Sequence, residues 1–108
     1  MAMKEKMRHH YEARARVAKA LAHPSRLLIL DALKEQERCV CELTELEGAD
    51  QSTVSKHLSI LKNVGLVEDR KAGAMVYYRN TCNCLEGFFG CIESVLKQNI
   101  KVQQKMVL

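Results

Sequence analysis

The chain has 108 residues and a mass of 12.3 kDa, the size of one small domain over residues 1–108. Hydrophobic residues make up 47% and charged residues 28%, which argues against wholesale disorder, and the formal net charge is +4. The longest purely apolar run has five residues, where a membrane span needs about twenty, and the first ten residues lack the apolar stretch of a secretory signal. We therefore expect a cytoplasmic protein with no membrane partner.

Two helices are predicted in the first third of the chain. Residues 4–22 are rich in Ala, Glu, Lys and Arg, which are strong helix formers, and carry a thin apolar stripe that includes Val17 and Leu21. Pro24 interrupts this segment and suits the first turn of a second helix, where its missing N–H costs nothing. That helix is predicted over residues 24–34, and its aliphatic residues cover most of its sides, which predicts burial.

A helix-turn-helix is predicted at about residues 40–65. Leu43 lies in a short helix that Gly48 ends, because glycine adopts the left-handed conformation at little cost. Asp50 caps the next helix, in which aliphatic residues recur at i, i+4 and i+7 on one face. The members of that face are Val54, Leu58 and Leu61.

A β-hairpin and a last helix complete the predicted elements. The β-forming residues Val67 and 76–78 flank the turn residues 72–74. A hairpin at about residues 66–80, directly behind a helix-turn-helix, is a wing. Apolar residues then recur at helical spacing over about residues 83–103. The sequence predicts a mostly α fold with a small β-hairpin, a winged helix-turn-helix.

The second helix of the helix-turn-helix has a polar face that suits DNA. Helical geometry, at about 100° per residue, directs four side chains away from its buried face: Ser52, Lys56, Ser59 and Asn63. Residues 51–80 carry a net charge of +3, which favours a polyanionic partner such as double-stranded DNA. The residues predicted to contact DNA are Gln51, Ser52, Thr53, Ser55, Lys56 and Ser59 of this helix and Arg70, Lys71 and Arg79 of the wing.

The histidines are predicted to have packing or surface roles. His57 falls about 60° from the centre of the buried face, which predicts a partly buried packing side chain rather than a DNA contact. His9, His10 and His23 are predicted to face solvent or to lie at helix ends.

The five cysteines follow a pattern typical of soft-metal binding or redox chemistry. They form the pairs Cys39-x-Cys41 and Cys82-x-Cys84, followed by Cys91. Residues i and i+2 of a helix point about 200° apart, so each pair must bind one ion from a turn or bend a helix end. Cys84 and Cys91 lie about 10 Å apart along a helix and cannot share an ion there. Cys91 either meets a cysteine of another subunit or packs beside its own neighbours.

The stretch from Leu21 to Arg79 resembles the ArsR/SmtB family of small metal-sensing bacterial transcription repressors. The resemblance is carried by LAHPSRLLIL, CVCEL, QSTVSKHLSILKNVGLV and RKAGAMVYYR, in the family's order. It implies a homodimer formed through the first and last helices, at about residues 5–22 and 83–103. It also implies operator binding that metal reverses. The family's major-groove contacts fall on Gln51, Ser52, Ser55 and Lys56.

The resemblance also implies where a metal is sensed. The motif CVCEL looks like one sensor site of the family, with Cys39 and Cys41 as ligands. Arsenic sensors of this type can carry a further cysteine where Thr44 lies, so the third ligand is missing or comes from elsewhere. Cys82 and Cys84 occupy positions where the zinc sensors have Asp and His. The other two zinc ligands of those sensors would fall on Val95 and Gln98, which cannot serve.

The inducer and the class of regulator follow from this donor set. All-thiolate pairs favour soft ions, and the resemblance puts As(III) or Sb(III) ahead of Cd(II) and Pb(II), with Zn(II) behind. The two pairs either act alone or join across the dimer. The alternative is a thiol-based redox or persulfide sensor on the same scaffold, with a reversible disulfide. No phosphate loop or catalytic triad is evident, so we expect neither an enzyme nor an organic cofactor.

Overall fold

The computed structural model describes the backbone of residues 2–107 and the side chains of residues 4–106. Five helices and three strands follow in the order α1 (Ala2–Leu21), α2 (Pro24–Ala32), β1 (Arg38–Cys39), α3 (Val40–Glu47), α4 (Gln51–Asn63), β2 (Val67–Ala72), β3 (Met75–Asn80) and α5 (Leu85–Val107). The predicted mostly α fold with a hairpin is confirmed. Helix α2 ends two residues before the predicted Lys34, and α5 begins two residues after the predicted start.

The signals at the predicted helix ends act as expected. The carboxylate of Asp50 accepts the backbone N–H of Thr53 at 2.7 Å and so caps α4. Gly48 ends α3 with a φ of 78°, the left-handed conformation that glycine adopts most readily. Three residues therefore separate α3 from α4, which fixes the two helices as a helix-turn-helix.

The hydrophobic core lies where α2, α3 and α4 meet. Its residues without solvent exposure are Ile29, Leu30, Leu43, Val54, Leu58 and Leu61. The predicted face of α4 is therefore buried in full. The prediction that α2 is apolar on most sides and hence buried is only partly right, because Leu28 is 40% exposed. Helix α2 packs one side against the core and leaves the other uncovered in a single copy.

The sheet contains a strand that the sequence analysis did not predict. Its order is β1-β3-β2, with both pairings antiparallel. Strand β1 is only two residues long, too short to give an alternating pattern. Its register sets Arg38 opposite Tyr78 and Cys39 opposite Tyr77. The chain just before α3 is therefore hydrogen-bonded to the wing.

The first and last helices extend beyond the core. Leu85 is buried, and Phe89 packs against the core, which anchors the beginning of α5. Elsewhere on both helices, large apolar side chains are 37–81% exposed: Met7, Tyr11, Phe88, Val95, Leu96, Ile100, Val102 and Met106. The radius of gyration is 17.3 Å, where a compact domain of this length has about 13 Å. Among residues 2–107, no helix has the length and apolarity needed to cross a bilayer.

Candidate nucleic-acid interface and cysteine sites

The outer face of α4 presents the polar side chains that the sequence predicted. Gln51, Ser52, Lys56, Ser59 and Asn63 are exposed, and Thr53 and Ser55 are half-buried. Ser52 donates its hydroxyl to Asp50 at 2.9 Å. Hydrogen bonds from Thr53, and then from Ser52, hold the pKa of Asp50 below its ordinary value. Ser52 and Thr53 therefore also serve the cap of the helix whose outer face they form.

The two arginines of the wing are held by acidic residues. The Nε of Arg70 donates to both carboxylate oxygens of Glu37, at 3.1 and 3.0 Å, and its guanidinium lies 4.8 Å from the centre of the Tyr77 ring. The hydrogen bond and then the charge of Glu37 raise the pKa of Arg70. Arg79 pairs with Glu68 across the hairpin. A contact between either arginine and a DNA phosphate would require the arginine to leave its carboxylate partner.

Two exposed lysines offer their charge without such an exchange. Lys56 lies on the outer face of α4, and Lys71 lies near the turn of the wing. Neither takes part in an ion pair among the side chains of residues 4–106. Lys62, by contrast, lies 3.1 Å from a carboxylate oxygen of Asp69. The unpaired positive charge of this surface is therefore concentrated at Lys56 and Lys71.

The first cysteine pair lies at the beginning of α3. Cys39 is 3% exposed and is the N-cap of α3, in an extended conformation. Its Sγ accepts the backbone N–H of Glu42 at 3.4 Å, and the Glu42 carboxylate accepts the N–H of Cys39 at 3.3 Å. Cys41 is exposed, and a disulfide joins it to Cys39 with the Cα atoms 5.4 Å apart. Both sulfurs therefore reach one point at this helix end.

A small cavity connects this cysteine pair with two other elements. Its volume is about 130 Å³, and it lies between the start of α3, the start of α4 and the turn of the wing. Its walls are formed by Cys39, Val40, Cys41, Gln51, Ala74, Met75 and Val76. A ligand bound to the cysteines would thus lie beside Gln51, the first predicted DNA contact of α4.

The second cysteine pair lies in the turn before α5. A disulfide joins Cys82 to Cys84, and the N–H of Cys84 lies 3.3 Å from the sulfur of Cys82. The carbonyl of Cys84 accepts the N–H of Phe88 at 3.2 Å and so begins the first turn of α5. Cys91 is exposed and is a free thiol.

The two cysteine pairs do not combine into one larger metal site within a single copy. Within the described residues, no three or more side chains of His, Cys, Asp or Glu are grouped so that they could hold a metal ion. Each cysteine pair therefore contributes two ligands of these types at most within one copy. The donor chemistry fits a soft ion, since each pair brings two sulfurs together.

His57 is half-buried, as predicted, and lies against His23. The two imidazole centres are 4.5 Å apart, and the Nδ1 of His57 is buried without a hydrogen-bond partner among the described residues. Burial, and then the charges of His23 and Arg26, lower the pKa of His57. His23 lies at a helix end as expected, where its Nδ1 accepts the N–H of Ser25 at 3.1 Å.

Three functional candidates were missed from the sequence. Glu37 and Tyr77 hold Arg70, and Met75 lines the cavity of the first cysteine pair. Glu37 lies 33 residues before Arg70, so only the folded chain brings them together. A methionine in a predicted strand gives no signal of its own.

Similarity to known proteins supports the interpretation of this fold. A sequence model described as "Bacterial regulatory protein, arsR family" matches residues 23–69. The cadmium resistance transcriptional regulatory protein CadC homolog of Staphylococcus aureus is 42% identical over 65 residues, which are 59% of this chain and 54% of that protein. The transcriptional repressor SmtB homolog of Synechocystis is 48% identical over 59 residues, 55% of this chain and 45% of that protein. The chain thus spans about half the length of these two curated relatives.

A solved structure extends the similarity over most of the chain. The homodimeric winged helix-turn-helix DNA-binding domain Mb0332 of Mycobacterium bovis, a possible ArsR-family transcriptional regulator, has a TM-score of 0.76 and 34% identity. The alignment covers 89% of each chain. This likeness confirms the predicted winged helix-turn-helix and the expectation of a regulator rather than an enzyme. The chain belongs to the ArsR family of bacterial regulatory proteins.

Proposed function

We propose that this chain is a cytoplasmic homodimeric repressor that binds operator DNA and releases it when a thiophilic metal or metalloid binds. The observation that carries the proposal is the cavity shared by Cys39, Cys41 and Gln51. This cavity places the two cysteine sulfurs beside the first residue of α4, the helix proposed to contact DNA. Cys39 and Cys41 are the proposed sensor, and Cys82, Cys84 and Cys91 are candidates for a second site.

The proposed DNA contacts lie on α4 and the wing. Helix α4 enters the major groove, where Gln51, Ser52, Ser55 and Ser59 hydrogen-bond base edges or phosphates. Lys56 and Lys71 contact phosphates directly because their ammonium groups are exposed and hold no carboxylate in the described chain. The remaining contacts come from Thr53, Arg70 and Arg79, the two arginines after they exchange their carboxylate partners.

The proposed homodimer uses α1 and α5. A single copy leaves apolar side chains exposed along both helices, and the M. bovis domain that this chain resembles is described as homodimeric. A series of large apolar side chains left exposed along a helix of a soluble domain marks an interface. A dimer also places two α4 helices on one duplex, so that two half-sites are read together.

The proposed switch acts through the beginning of α3. A soft ion would supply a common bonding partner for the two thiolates. Cys39 holds this end of α3 because its sulfur accepts the N–H of Glu42. Sharing that sulfur weakens the cap, and the loss of an N-cap costs about 1 kcal/mol. Only three residues separate α3 from α4, so a change at α3 alters the placement of α4.

The proposed inducer is As(III) or Sb(III), followed by Cd(II) and Pb(II). Thiolate ligands select soft ions over hard ones. The S. aureus relative is described as a cadmium resistance regulatory protein, which supports an ion of this class. The pair supplies two sulfurs, so a third ligand comes from elsewhere in the dimer or from solvent.

An operator-release assay on the reduced chain tests the proposal. Arsenite, Cd(II), Pb(II) and Zn(II) are titrated in parallel while thiolate-to-metal absorption is followed. We expect release by a soft ion at about one equivalent per subunit, as one sensor pair per chain requires. The double variant with Cys39→Ser and Cys41→Ser should bind the operator and fail to release it. The matched control is the double variant with Cys82→Ser and Cys84→Ser. If the first variant releases the operator normally and the control does not, the sensor is the second pair.

A redox sensor is the second candidate, and the two disulfides favour it. In each C-x-C pair a disulfide joins the two cysteines. With hydrogen peroxide as oxidant, two thiols lose two electrons and two protons to form the disulfide, and the peroxide becomes two water molecules. Release by peroxide or polysulfide in the presence of a chelator, with no release by any metal, would support this function instead.

A further inference from the structure

A third sulfur lies at the cavity of the first cysteine pair. The side chain of Met75, the first residue of β3, lines the same 130 Å³ space as Cys39 and Cys41. We propose that the thioether of Met75 is the third ligand of this pair and that the three-sulfur site takes a soft monovalent cation, Cu(I). The inference rests on the proposed function to the extent that the cysteine pair must bind metal.

The strand register leads to the same residue independently of the cavity. Strands β1 and β3 run antiparallel, with Arg38 opposite Tyr78 and Cys39 opposite Tyr77. Met75 lies two residues before Tyr77 on β3, and residues i and i+2 share one face of a strand. Met75 is therefore a diagonal neighbour of Cys39 on that face, and such neighbours lie within reach of long side chains. Cys41 lies in the first turn of α3, where its disulfide with Cys39 holds it beside the same space.

The donor chemistry favours Cu(I). Among the described residues, His, Cys, Asp and Glu supply no third ligand here, whereas a thioether is a neutral soft donor outside that group. Two thiolates with a monovalent ion already leave one negative charge beside the carboxylate of Glu42. A neutral third ligand adds no further negative charge. Thiolate and thioether sulfurs are soft donors that suit Cu(I).

The third ligand also gives the wing a role in sensing. Met75 follows the Gly73–Ala74 turn and is paired with Ala72 across the hairpin. An ion held by Cys39, Cys41 and Met75 would connect the wing turn to the beginning of α3. Only three residues separate α3 from α4, so the wing and α4 would then no longer move independently when they contact a duplex.

Cu(I) competition under anaerobic conditions tests the inference on the reduced 108-residue chain. A coloured Cu(I) chelator reports the affinity of the wild type, of Met75→Leu and of the matched control Met7→Leu, whose side chain is 50% exposed against 39% for Met75. We expect Met75→Leu to lower the Cu(I) affinity by about tenfold or more, since even the loss of a group that only supports a metal ligand typically costs about 10–100-fold. Met7→Leu should leave it unchanged. Arsenite binding by Met75→Leu should stay within about twofold, because arsenite prefers thiolates.

A direct spectroscopic measurement removes the dependence on one variant. The chain has five methionines, and ¹³C labelling of their methyl groups gives five resonances. One equivalent of Cu(I) should shift the Met75 resonance, which Met75→Leu identifies, and should leave that of Met7 in place. A Cu(I) complex in which the Met75 methyl does not shift, wild-type affinity in Met75→Leu, or no Cu(I) binding would overturn the inference.

The same experiments separate this inference from the proposed function. If Met75→Leu binds Cu(I) normally while the Cys39 and Cys41 double variant loses both Cu(I) binding and release by arsenite, only the role of Met75 is rejected. If the double variant still responds to arsenite, the proposed sensor itself is rejected.

Discussion

Glu37 holds Arg70 on the wing through both carboxylate oxygens, while the same guanidinium lies over the ring of Tyr77. The two residues come from different parts of the chain, 33 positions apart. In the free protein, this ion pair occupies the guanidinium of Arg70, which is one of the predicted phosphate contacts. The wing therefore has less available positive charge than its sequence indicates.

Removal of this carboxylate should strengthen DNA binding. Glu37→Gln frees Arg70 to contact phosphate without an exchange, and we expect a gain of about two- to fivefold, since exposed ion pairs are weak. Affinity is measured by fluorescence anisotropy with a short operator duplex over a series of salt concentrations. Glu35→Gln is the control, because it removes the same charge from a side chain that forms no ion pair in the described chain. Equal gains in both variants would show that net charge alone is responsible.

Lys56→Ala should weaken operator binding and flatten its salt dependence. Each phosphate contact contributes about 0.9 to the slope of log K against log salt, so the slope should fall by about that amount. Lys62→Ala is the control on the same helix, because Lys62 is already paired with Asp69. A slope that Lys56→Ala leaves unchanged would remove this lysine from the phosphate contacts.

The capping role of Cys39 predicts a difference between two substitutions in the reduced protein. Serine is a preferred N-cap, so Cys39→Ser should keep the stability of the wild type. Cys39→Ala leaves the N–H of Glu42 without its acceptor and should cost about 0.5–2 kcal/mol of unfolding free energy in urea. Cys91→Ala is the control, because Cys91 is exposed and caps no helix. Equal stabilities of the Ser and Ala variants at position 39 would contradict the capping role.

The stability of the fold should fall in mild acid because of His57. Burial, and then the charges of His23 and Arg26, lower its pKa below the ordinary 6.5, while Glu47 acts in the opposite direction. The unfolded chain therefore takes up more protons than the folded one as the pH falls through 6.5. The stability that the neutral imidazole contributes is complete above that pH and is lost as the pH falls toward the lower pKa of the folded state.

This loss is measured as the urea midpoint between about pH 7.5 and 5.5, on either side of the ordinary histidine pKa. His57→Gln should show a smaller decline than the wild type over this range. His10→Gln, on the exposed face of α1, should decline as the wild type does. An identical decline in His57→Gln would assign the effect to other groups.

Local signals account for the elements that could be predicted from the sequence. The spacing of Val54, Leu58 and Leu61, the cap at Asp50 and the glycine at position 48 each act within a few residues. They place α3, α4 and their turn correctly. The polar face of α4 follows from the same periodicity.

The rest depends on contacts between distant segments. Strand β1 exists because its two residues find partners on β3, 40 and 38 positions later, and no pattern of two residues can show that. The pairing of Arg70 with Glu37 and the presence of Met75 beside the first cysteine pair depend on the same sheet. The sequence therefore predicted the candidate cysteine ligands but neither Met75 nor the surroundings of the pair.

The hydrogen bonds between β1 and β3 tie Cys39 to the wing. Coupling through such a connection is reciprocal at equilibrium: if the inducer weakens operator binding by a given factor, the operator weakens inducer binding by the same factor. Under the proposed function, the operator sequence then sets the threshold of the response. Promoters that this protein binds more tightly would be switched on only at higher inducer concentrations. One regulator would then switch on different genes at different inducer concentrations.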